Sequence, residues 1–130
     1  MNVQRVASLA PYTARWGYSR AIRHGDRILV SGTSATRPDG SVHAPGDPYE
    51  QTRYVLELIQ TALQDLGSSL PDVVRTRVYL TTPDIWPEVG RAHLEYFGAT
   101  LPASTCIAGV ELMQPDLLVE IEAEAFTGAD

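Results

Sequence analysis

An apolar stripe with helical spacing between residues 48 and 66 is the strongest pattern in the chain. Its members recur at spacings of three and four residues and are Thr52, Val55, Ile59, Ala62, Leu63 and Leu66. Side chains with this spacing share one face of an α-helix. Asp47 and Pro48 have the form of an N-cap and a first helical residue, and Gly67 can adopt the left-handed conformation that ends a helix. The pattern predicts a helix over residues 48–66.

A strand followed by a second helix is predicted between residues 73 and 97. Residues 73–80 are rich in β-branched and aromatic side chains and lie between two proline-containing turns, which favours a strand. Apolar positions with helical spacing follow, and they are Ile85, Val89, Ala92, Tyr96 and Phe97. Gly98 offers a stop, so a helix is predicted over residues 85–97, with His93 packed in the core or in an interface.

Four further extended segments complete the predicted sheet. They are residues 18–22, 27–32, 105–110 and 117–126. The order strand, strand, helix, strand, helix, strand, strand predicts one domain over residues 1–130, an α+β or α/β sheet with two helices. Two helices cover one face of such a sheet, so we expect the other face to be an apolar patch that self-association buries.

Composition and charge narrow the classes of partner. The 130 residues carry a formal net charge of −6, whereas nucleic-acid binding typically needs clustered Lys and Arg. No apolar run approaches the roughly 18 residues of a membrane span, and no signal-peptide block follows the first residues. We therefore expect a cytoplasmic protein without a nucleic-acid or membrane partner. Cys106 is the single cysteine, and His24 and His43 lack the spacing of metal ligands, so no metal site is predicted.

The last predicted strand aligns three carboxylates. Glu120, Glu122 and Glu124 alternate with apolar residues, and alternation along a strand places the two sets on opposite faces. A solvated face is the interpretation favoured for Glu122 and Glu124. Arg77, in the middle of its strand, must either reach the surface or pair with a carboxylate.

Five sequence motifs follow one another between Tyr18 and Ala125. The opening hairpin carries Gly17-Tyr18-Ser19, Gly25-Asp26 and Leu29-Val30-Ser31-Gly32, and the first helix carries Glu50-Gln51-Thr52. The central block is Leu66-Gly67-Ser68-Ser69-Leu70, Asp72-Val73-Val74-Arg75-Thr76 and Val78-Tyr79-Leu80-Thr81. The closing motifs are Pro102-Ala103 and Val119-Glu120-Ile121-Glu122-Ala123. In this order and spacing the motifs resemble those of the reactive intermediate deaminase superfamily, the RidA or YjgF family.

The resemblance implies a chorismate-mutase-like α+β subunit in which a mixed six-stranded sheet carries two helices on one face. It also implies a homotrimer with ligand clefts between neighbouring subunits, so the expected partners are a small molecule and further copies of the chain. Deaminating members hydrolyse reactive imines and enamines to a ketoacid and ammonia. They use no metal and no organic cofactor, and the same is expected here.

The resemblance also assigns site residues. Glu120 matches the position that orients or activates water, and a carboxylate fills this role as a general base when burial raises its pKa. Tyr18 matches the tyrosine that covers the ligand. The other substrate-binding positions are Ser31, Gly32, Ser104, Thr105 and Cys106. Cys106 is expected to line the cleft and not to act as a nucleophile.

One departure from the family pattern bears on the substrate. After Pro102-Ala103 the deaminating members place an arginine that holds the substrate carboxylate, whereas this chain has Ser104. A charge-assisted arginine contact is worth about 1.5–3 kcal/mol, and a serine does not replace it. We therefore expect a substrate other than a simple amino-acid-derived imine, although Arg77 could supply the missing charge.

Two other functions compete with the imine or enamine hydrolase. The first is a ligand-binding or protective protein that keeps the cleft but has no turnover. The second is an endoribonuclease, which the acidic net charge makes the least favoured.

Overall fold

The computed structural model describes residues 2–128 and contains one mixed six-stranded sheet. The strands are β1 (Val3–Val6), β2 (Ala21–His24), β3 (Arg27–Ser34), β4 (Val73–Leu80), β5 (Ala103–Ala108) and β6 (Val119–Phe126). Their order across the sheet is β1-β2-β3-β6-β4-β5, and every pair is antiparallel except the parallel pair β4 and β5. The helices are α1 (Thr13–Trp16), α2 (Pro48–Asp65) and α3 (Trp86–Phe97), and α2 packs against α3, β3 and β6. The predicted α+β sheet with two long helices is confirmed.

Helix α2 forms where the apolar stripe predicts it. Asp47 Oδ1 accepts a hydrogen bond from the N–H of Glu50 at 3.0 Å, and Pro48 occupies the first turn, where no N–H partner is needed. Its buried apolar face consists of Val55, Leu56, Ile59, Ala62 and Leu63. Full burial of a Val, Leu or Ile side chain contributes about 1.5–3 kcal/mol, so this face holds the helix on the sheet. Gly67 follows with a φ of +79°, in the left-handed region that ends helices.

The side chains of strand β6 alternate between the core and the opposite face of the sheet. Its inward residues are all buried and are Val119, Ile121, Ala123 and Ala125. Its glutamates alternate with them, which confirms the two faces predicted from the sequence. In the register between β4 and β6, Tyr79 pairs with Glu120 and Arg77 with Glu122, so these residues share the outer face, away from the helices.

The outer face of the sheet is charged at its centre. Arg77 Nη1 lies 3.2 Å from Glu122 Oε1 and 3.3 Å from Glu124 Oε1, and Arg27 lies 3.3 Å from the other oxygen of Glu124. The prediction of an apolar patch on this face is therefore wrong for the centre of the sheet, because Arg77 of β4 and Glu120, Glu122 and Glu124 of β6 point outward there. Glu122 and Glu124 are likewise ion-paired and only partly exposed, rather than simply solvated. Exposed apolar side chains elsewhere on the sheet are Val3, Leu29, Val74, Ile107 and Phe126.

The N-terminal elements β1 and α1 are not predicted by the sequence pattern. In β1 the first three residues are exposed, so no alternation of apolar and polar positions marks it, and α1 is a single turn. β2 begins at Ala21 instead of residue 18, because the residues before it form the connection from α1 to β2. In this connection the N–H of Arg20 donates a hydrogen bond to the carbonyl of Val6 at 2.8 Å. β5 starts two residues earlier than predicted and β6 two residues later.

Candidate functional site

A cavity of about 820 Å³ opens beside the first residues of β6. Residues of β3 and β6 line one side of it, and residues of the segment through α1 line the other. The predicted site residues Tyr18, Ser31, Gly32 and Glu120 all line this cavity. Its volume lies within the range of about 300–1,000 Å³ that is typical of small-molecule sites.

Glu120 brings a carboxylate with a raised pKa into the cavity. The side chain is partly buried, and burial raises the pKa of Glu120 above its ordinary value of 4.5. The Glu122 carboxylate raises this pKa further, whereas the Arg20 guanidinium lowers it. A carboxylate whose pKa is raised holds a proton more readily, which suits a general base.

Gly32 makes room for the Glu120 carboxylate. The pairing of β3 with β6 shifts register between Val30 and Thr33, so Ser31 and Gly32 leave the regular ladder. A Cβ at Gly32 would overlap Oε2 of Glu120 and would lie 3.2 Å from its Cδ. The absence of a side chain at this position is therefore a condition for the observed position of the carboxylate.

Tyr18 and Ser31 are held at the cavity by hydrogen bonds. The Tyr18 hydroxyl accepts a hydrogen bond from Ser8 Oγ at 3.4 Å. Ser31 Oγ donates to the carbonyl of Ser19 at 2.7 Å, which ties β3 to the segment that carries Tyr18. Because the Ser31 O–H donates its hydrogen bond to this carbonyl, the hydroxyl can offer a ligand only its acceptor lone pairs.

Arg20 also lines the cavity, and the sequence analysis does not select it. Its side chain donates from Nη1 to Thr33 Oγ1 at 2.9 Å and from Nη2 to Ser8 Oγ at 3.2 Å. Burial lowers the pKa of Arg20 below its ordinary value. The available sequence signal is an arginine directly before the apolar pair Ala21 and Ile22, a place where a long charged side chain is unusual.

The remaining predicted site residues lie elsewhere in the subunit. Ser104 and Cys106 line a second groove, of about 640 Å³, between β5 and α3. Thr105 is on the outer face of β5, level with Arg77 in the parallel register. Arg77 is engaged by two carboxylates and lines neither cavity. Within one subunit, therefore, Arg77 does not reach the Glu120 cavity, and its proposed part in a site between subunits stays a prediction.

A chain of hydrogen bonds connects Ser104 to His93. Ser104 Oγ and Thr76 Oγ1 are 2.7 Å apart, and Thr76 Oγ1 lies 2.9 Å from His93 Nε2. His93 also packs against the ring of Phe97, with centroids 4.8 Å apart, and burial lowers the pKa of its imidazole. Burial raises the pKa of the Cys106 thiol, so the thiol stays protonated near neutral pH, as its expected lining role requires.

Neither the requirements of a membrane-spanning helix nor those of a cluster of metal ligands are met by the described residues. Within residues 2–128, no helix is both long and apolar enough to cross a membrane. Across the same residues, no group of three or more His, Cys, Asp or Glu side chains is placed to hold a metal ion.

The mixed sheet, its two long helices and a cavity beside a partly buried carboxylate define a small α+β domain with a cavity of small-molecule size. A family model described as Endoribonuclease L-PSP matches residues 8–127. The chain therefore belongs to this family, which lies within the RidA/YjgF superfamily.

Individual relatives agree with this assignment. SCO2049 of Streptomyces coelicolor is 37% identical over 127 residues, covering 98% of this chain and 94% of that protein. A RutC family protein of Pyrococcus abyssi is 37% identical over 109 residues, covering 84% of this chain and 85% of that protein. The crystal structure of Rv2704 from Mycobacterium tuberculosis, a member of the YjgF/YER057c/UK114 family, matches with a TM-score of 0.87 and 38% identity. That match covers 97% of this chain and 100% of the other, and the resemblance inferred from the motifs is confirmed.

Proposed function

We propose that the protein hydrolyses an imine or enamine in the cavity that contains Glu120. The observation that carries the proposal is a partly buried carboxylate with a raised pKa, placed in a cavity of small-molecule size. Membership in the RidA/YjgF superfamily supports it, since deaminating members carry out this reaction. The reaction requires only water, proton transfer and positioning, so no cofactor is needed, and the protein is expected to act in the cytoplasm.

In the proposed mechanism Glu120 moves protons between water and nitrogen. It accepts a proton from water while the water oxygen forms a bond to the imine carbon, and the electron pair of the C=N double bond moves to nitrogen. The protonated Glu120 then gives its proton to that nitrogen, which yields a carbinolamine. In the second half, Glu120 accepts the hydroxyl proton and returns it to nitrogen as the C–N bond breaks, which releases ammonia and a carbonyl compound. An enamine first tautomerises to the imine: its β-carbon gains a proton from water, and its nitrogen loses a proton to water.

We propose that the complete site forms between two subunits of a homotrimer. Support comes from the two separate groups of predicted residues, each of which lines a cavity of its own. Strand β5, which carries residues 104–106, is exposed along its whole length. The neighbouring groove contains Trp86, Leu94 and Leu101, which are 58%, 67% and 77% exposed. Concentrated apolar exposure of this kind marks interaction surfaces, so residues 104–106 of one subunit would complete the Glu120 cavity of the next.

The substrate is proposed to be other than a simple amino-acid-derived imine. Ser104 occupies the position at which deaminating relatives hold a carboxylate with arginine, and Arg77 does not line the cavity. A cavity of about 820 Å³ has the size of a site for a drug-sized ligand, much larger than a three-carbon imine.

A ligand-binding or protective protein without turnover is the second candidate. Ser104 favours it, because loss of the arginine removes a group that orients an imine for attack in the deaminating members. An endoribonuclease, which the family description names, is less favoured, because a net charge of −6 opposes the binding of a phosphate backbone.

The test is a panel of imines generated in situ, with the carbonyl product followed over time. Glu120→Gln keeps the shape of the side chain but cannot accept a proton, so the rate should fall by about 10²–10⁴-fold. Glu124→Gln is the matched control, since that carboxylate pairs with Arg27 and Arg77 on the outer face. If no imine is hydrolysed faster than in buffer, the ligand-binding alternative replaces the hydrolase. A Glu120→Gln variant with the full rate would remove Glu120 from the mechanism.

A further inference from the structure

Arg20 is a buried cation whose protein partners are neutral. The residue is 9% exposed, and the hydroxyls of Ser8 and Thr33 accept hydrogen bonds from two of its five N–H groups. Within residues 2–128, no carboxylate oxygen lies within 4.0 Å of its guanidinium. Glu120 is near enough to raise the pKa of Arg20 but does not pair with it. Because a desolvated charge is costly without a counter-ion, buried arginines are nearly always paired, whereas Arg20 forms no ion pair with any of the described residues.

The cavity next to Arg20 has the opposite charge to the protein as a whole. Two arginines, Arg15 and Arg20, line it together with one carboxylate, that of Glu120. The complete chain, in contrast, carries a net charge of −6. A positive concavity of this kind concentrates small anions from solution.

The other walls of the cavity suit a flat apolar molecule. They include Tyr12, Trp16, Tyr18 and Met113. Trp16 is 83% exposed, so its ring is available to a ligand, and aromatic rings pack favourably on other flat apolar groups. The cavity thus joins an aromatic wall to one deeply placed guanidinium.

We infer that Arg20 binds a carboxylate at one end of the ligand, whose apolar body lies against Tyr12 and Trp16. The inference rests on the proposed function for the identity of the site, and it names the substrate class: an anionic imine or enamine with a large, flat apolar body. The guanidinium fork matches a carboxylate with two parallel hydrogen bonds. Arg20 on the connection before β2 therefore restores the positive charge that Ser104 on β5 does not provide.

The test compares an acid with its neutral amide by NMR titration of the full-length chain. Phenylacetate and phenylacetamide share one aromatic body and differ only in the carboxylate, and benzoate with benzamide forms a second pair. The acid of each pair should bind about 10–100-fold more tightly to the wild type, and the Nε–H signal of Arg20 should shift on binding. Arg20→Gln should reduce this preference to about twofold or less. Arg77→Gln, which removes an equal charge from the outer face, should keep the full preference.

Equal affinity for acid and amide in the wild type would overturn the inference, as would an unreduced preference in Arg20→Gln. If Arg20→Gln does not fold, Arg20→Lys serves in its place: it keeps the charge but loses the fork, so an intermediate preference is expected and an unchanged one counts against the inference. Binding is measured without turnover, so the two proposals can fail separately. A protein that binds phenylacetate through Arg20 but hydrolyses no imine would refute the proposed function alone. A protein that hydrolyses imines without an acid preference would refute the role of Arg20 alone.

Discussion

Replacing Gly32 with alanine tests whether the position of the Glu120 carboxylate governs activity. The added Cβ would overlap Oε2 and would lie 3.2 Å from Cδ, whereas carbon atoms in contact are normally about 3.5–4.0 Å apart. The Glu120 carboxylate must therefore move by about 1 Å, so that its Oε2 and Cδ both reach a normal distance from the new Cβ. Gly32 is not among the residues with positive φ, so alanine fits the backbone at this position. The perturbation is confined to the carboxylate.

A displacement of this size should cost much activity and little stability. A catalytic group that is misplaced by about 1 Å loses on the order of 10²-fold in rate. The thermal midpoint should hardly change, because the displaced atoms are the end of a flexible side chain. A second measurement needs no substrate: the pKa of Glu120, followed by carbon-13 NMR of its carboxyl group, should fall toward 4.5 as the carboxylate leaves its buried position.

A double-variant cycle shows whether the effect passes through Glu120. If alanine at position 32 acts by moving the carboxylate, adding Gly32→Ala to Glu120→Gln should cost little further activity. An equal loss in both backgrounds would mean that the alanine acts on another part of the cavity. Full activity together with an unchanged Glu120 pKa in Gly32→Ala would refute the steric reasoning.

The oligomeric state, the substrate and the pH dependence of stability give three further tests. Light scattering at micromolar concentration should report about three times the 14.2 kDa of one chain, and a mass near one chain would contradict the intersubunit site. A coupled assay should detect little hydrolysis of 2-aminoacrylate imines, because Ser104 replaces the arginine and a three-carbon imine lacks the apolar body that would contact Tyr12 and Trp16; turnover equal to that of an arginine-containing relative would contradict this. Burial lowers the pKa of His93 below its ordinary 6.5. The stability that the buried, neutral imidazole contributes is therefore complete above pH 6.5 and is lost as the pH falls below 6.5. In urea unfolding between about pH 7 and pH 5, His93→Gln should therefore lose less stability than the wild type, and an equal loss would contradict the assignment.

The elements that could be predicted from the sequence are those with strong local signals. The predicted helix over residues 48–66 spans Pro48–Asp65, because its cap and apolar stripe are local to the segment. The strand predicted over residues 73–80 has the same bounds in the structure. In β6 the alternation also separates Glu120 from the buried Val119, which is a property of strand geometry alone.

The arrangement of the site depends on contacts that no local pattern contains. The strand order places β6 beside β3, which brings Glu120 to Gly32, and it places β5 two strands away from β6, which separates Ser104 from both. Arg77 meets its carboxylates only through the register between β4 and β6. Arg20 is buried through contacts with residues that lie 12 and 13 positions away in the chain. Sequence reasoning could therefore name candidate residues one by one, but not the groups that they form.

The irregularity in β3 makes the protein tolerant of substitution at Ser31 but intolerant of deletion in this segment. In a regular strand, residues three positions apart face opposite sides, yet Val30 and Thr33 are both buried, at 3% and 0% exposure. The extra residue frees Ser31 from packing in the interior, so a new side chain there can change the chemistry of the cavity without disturbing the core. Gly32 has to keep its lack of a side chain, because a Cβ would overlap the Glu120 carboxylate. Deleting Ser31 or Gly32 would turn every later residue of the strand to the other side and bring Thr33 out of the interior. Variation among descendants of this chain should therefore change the identity of Ser31 while preserving Gly32 and the number of residues between Val30 and Thr33.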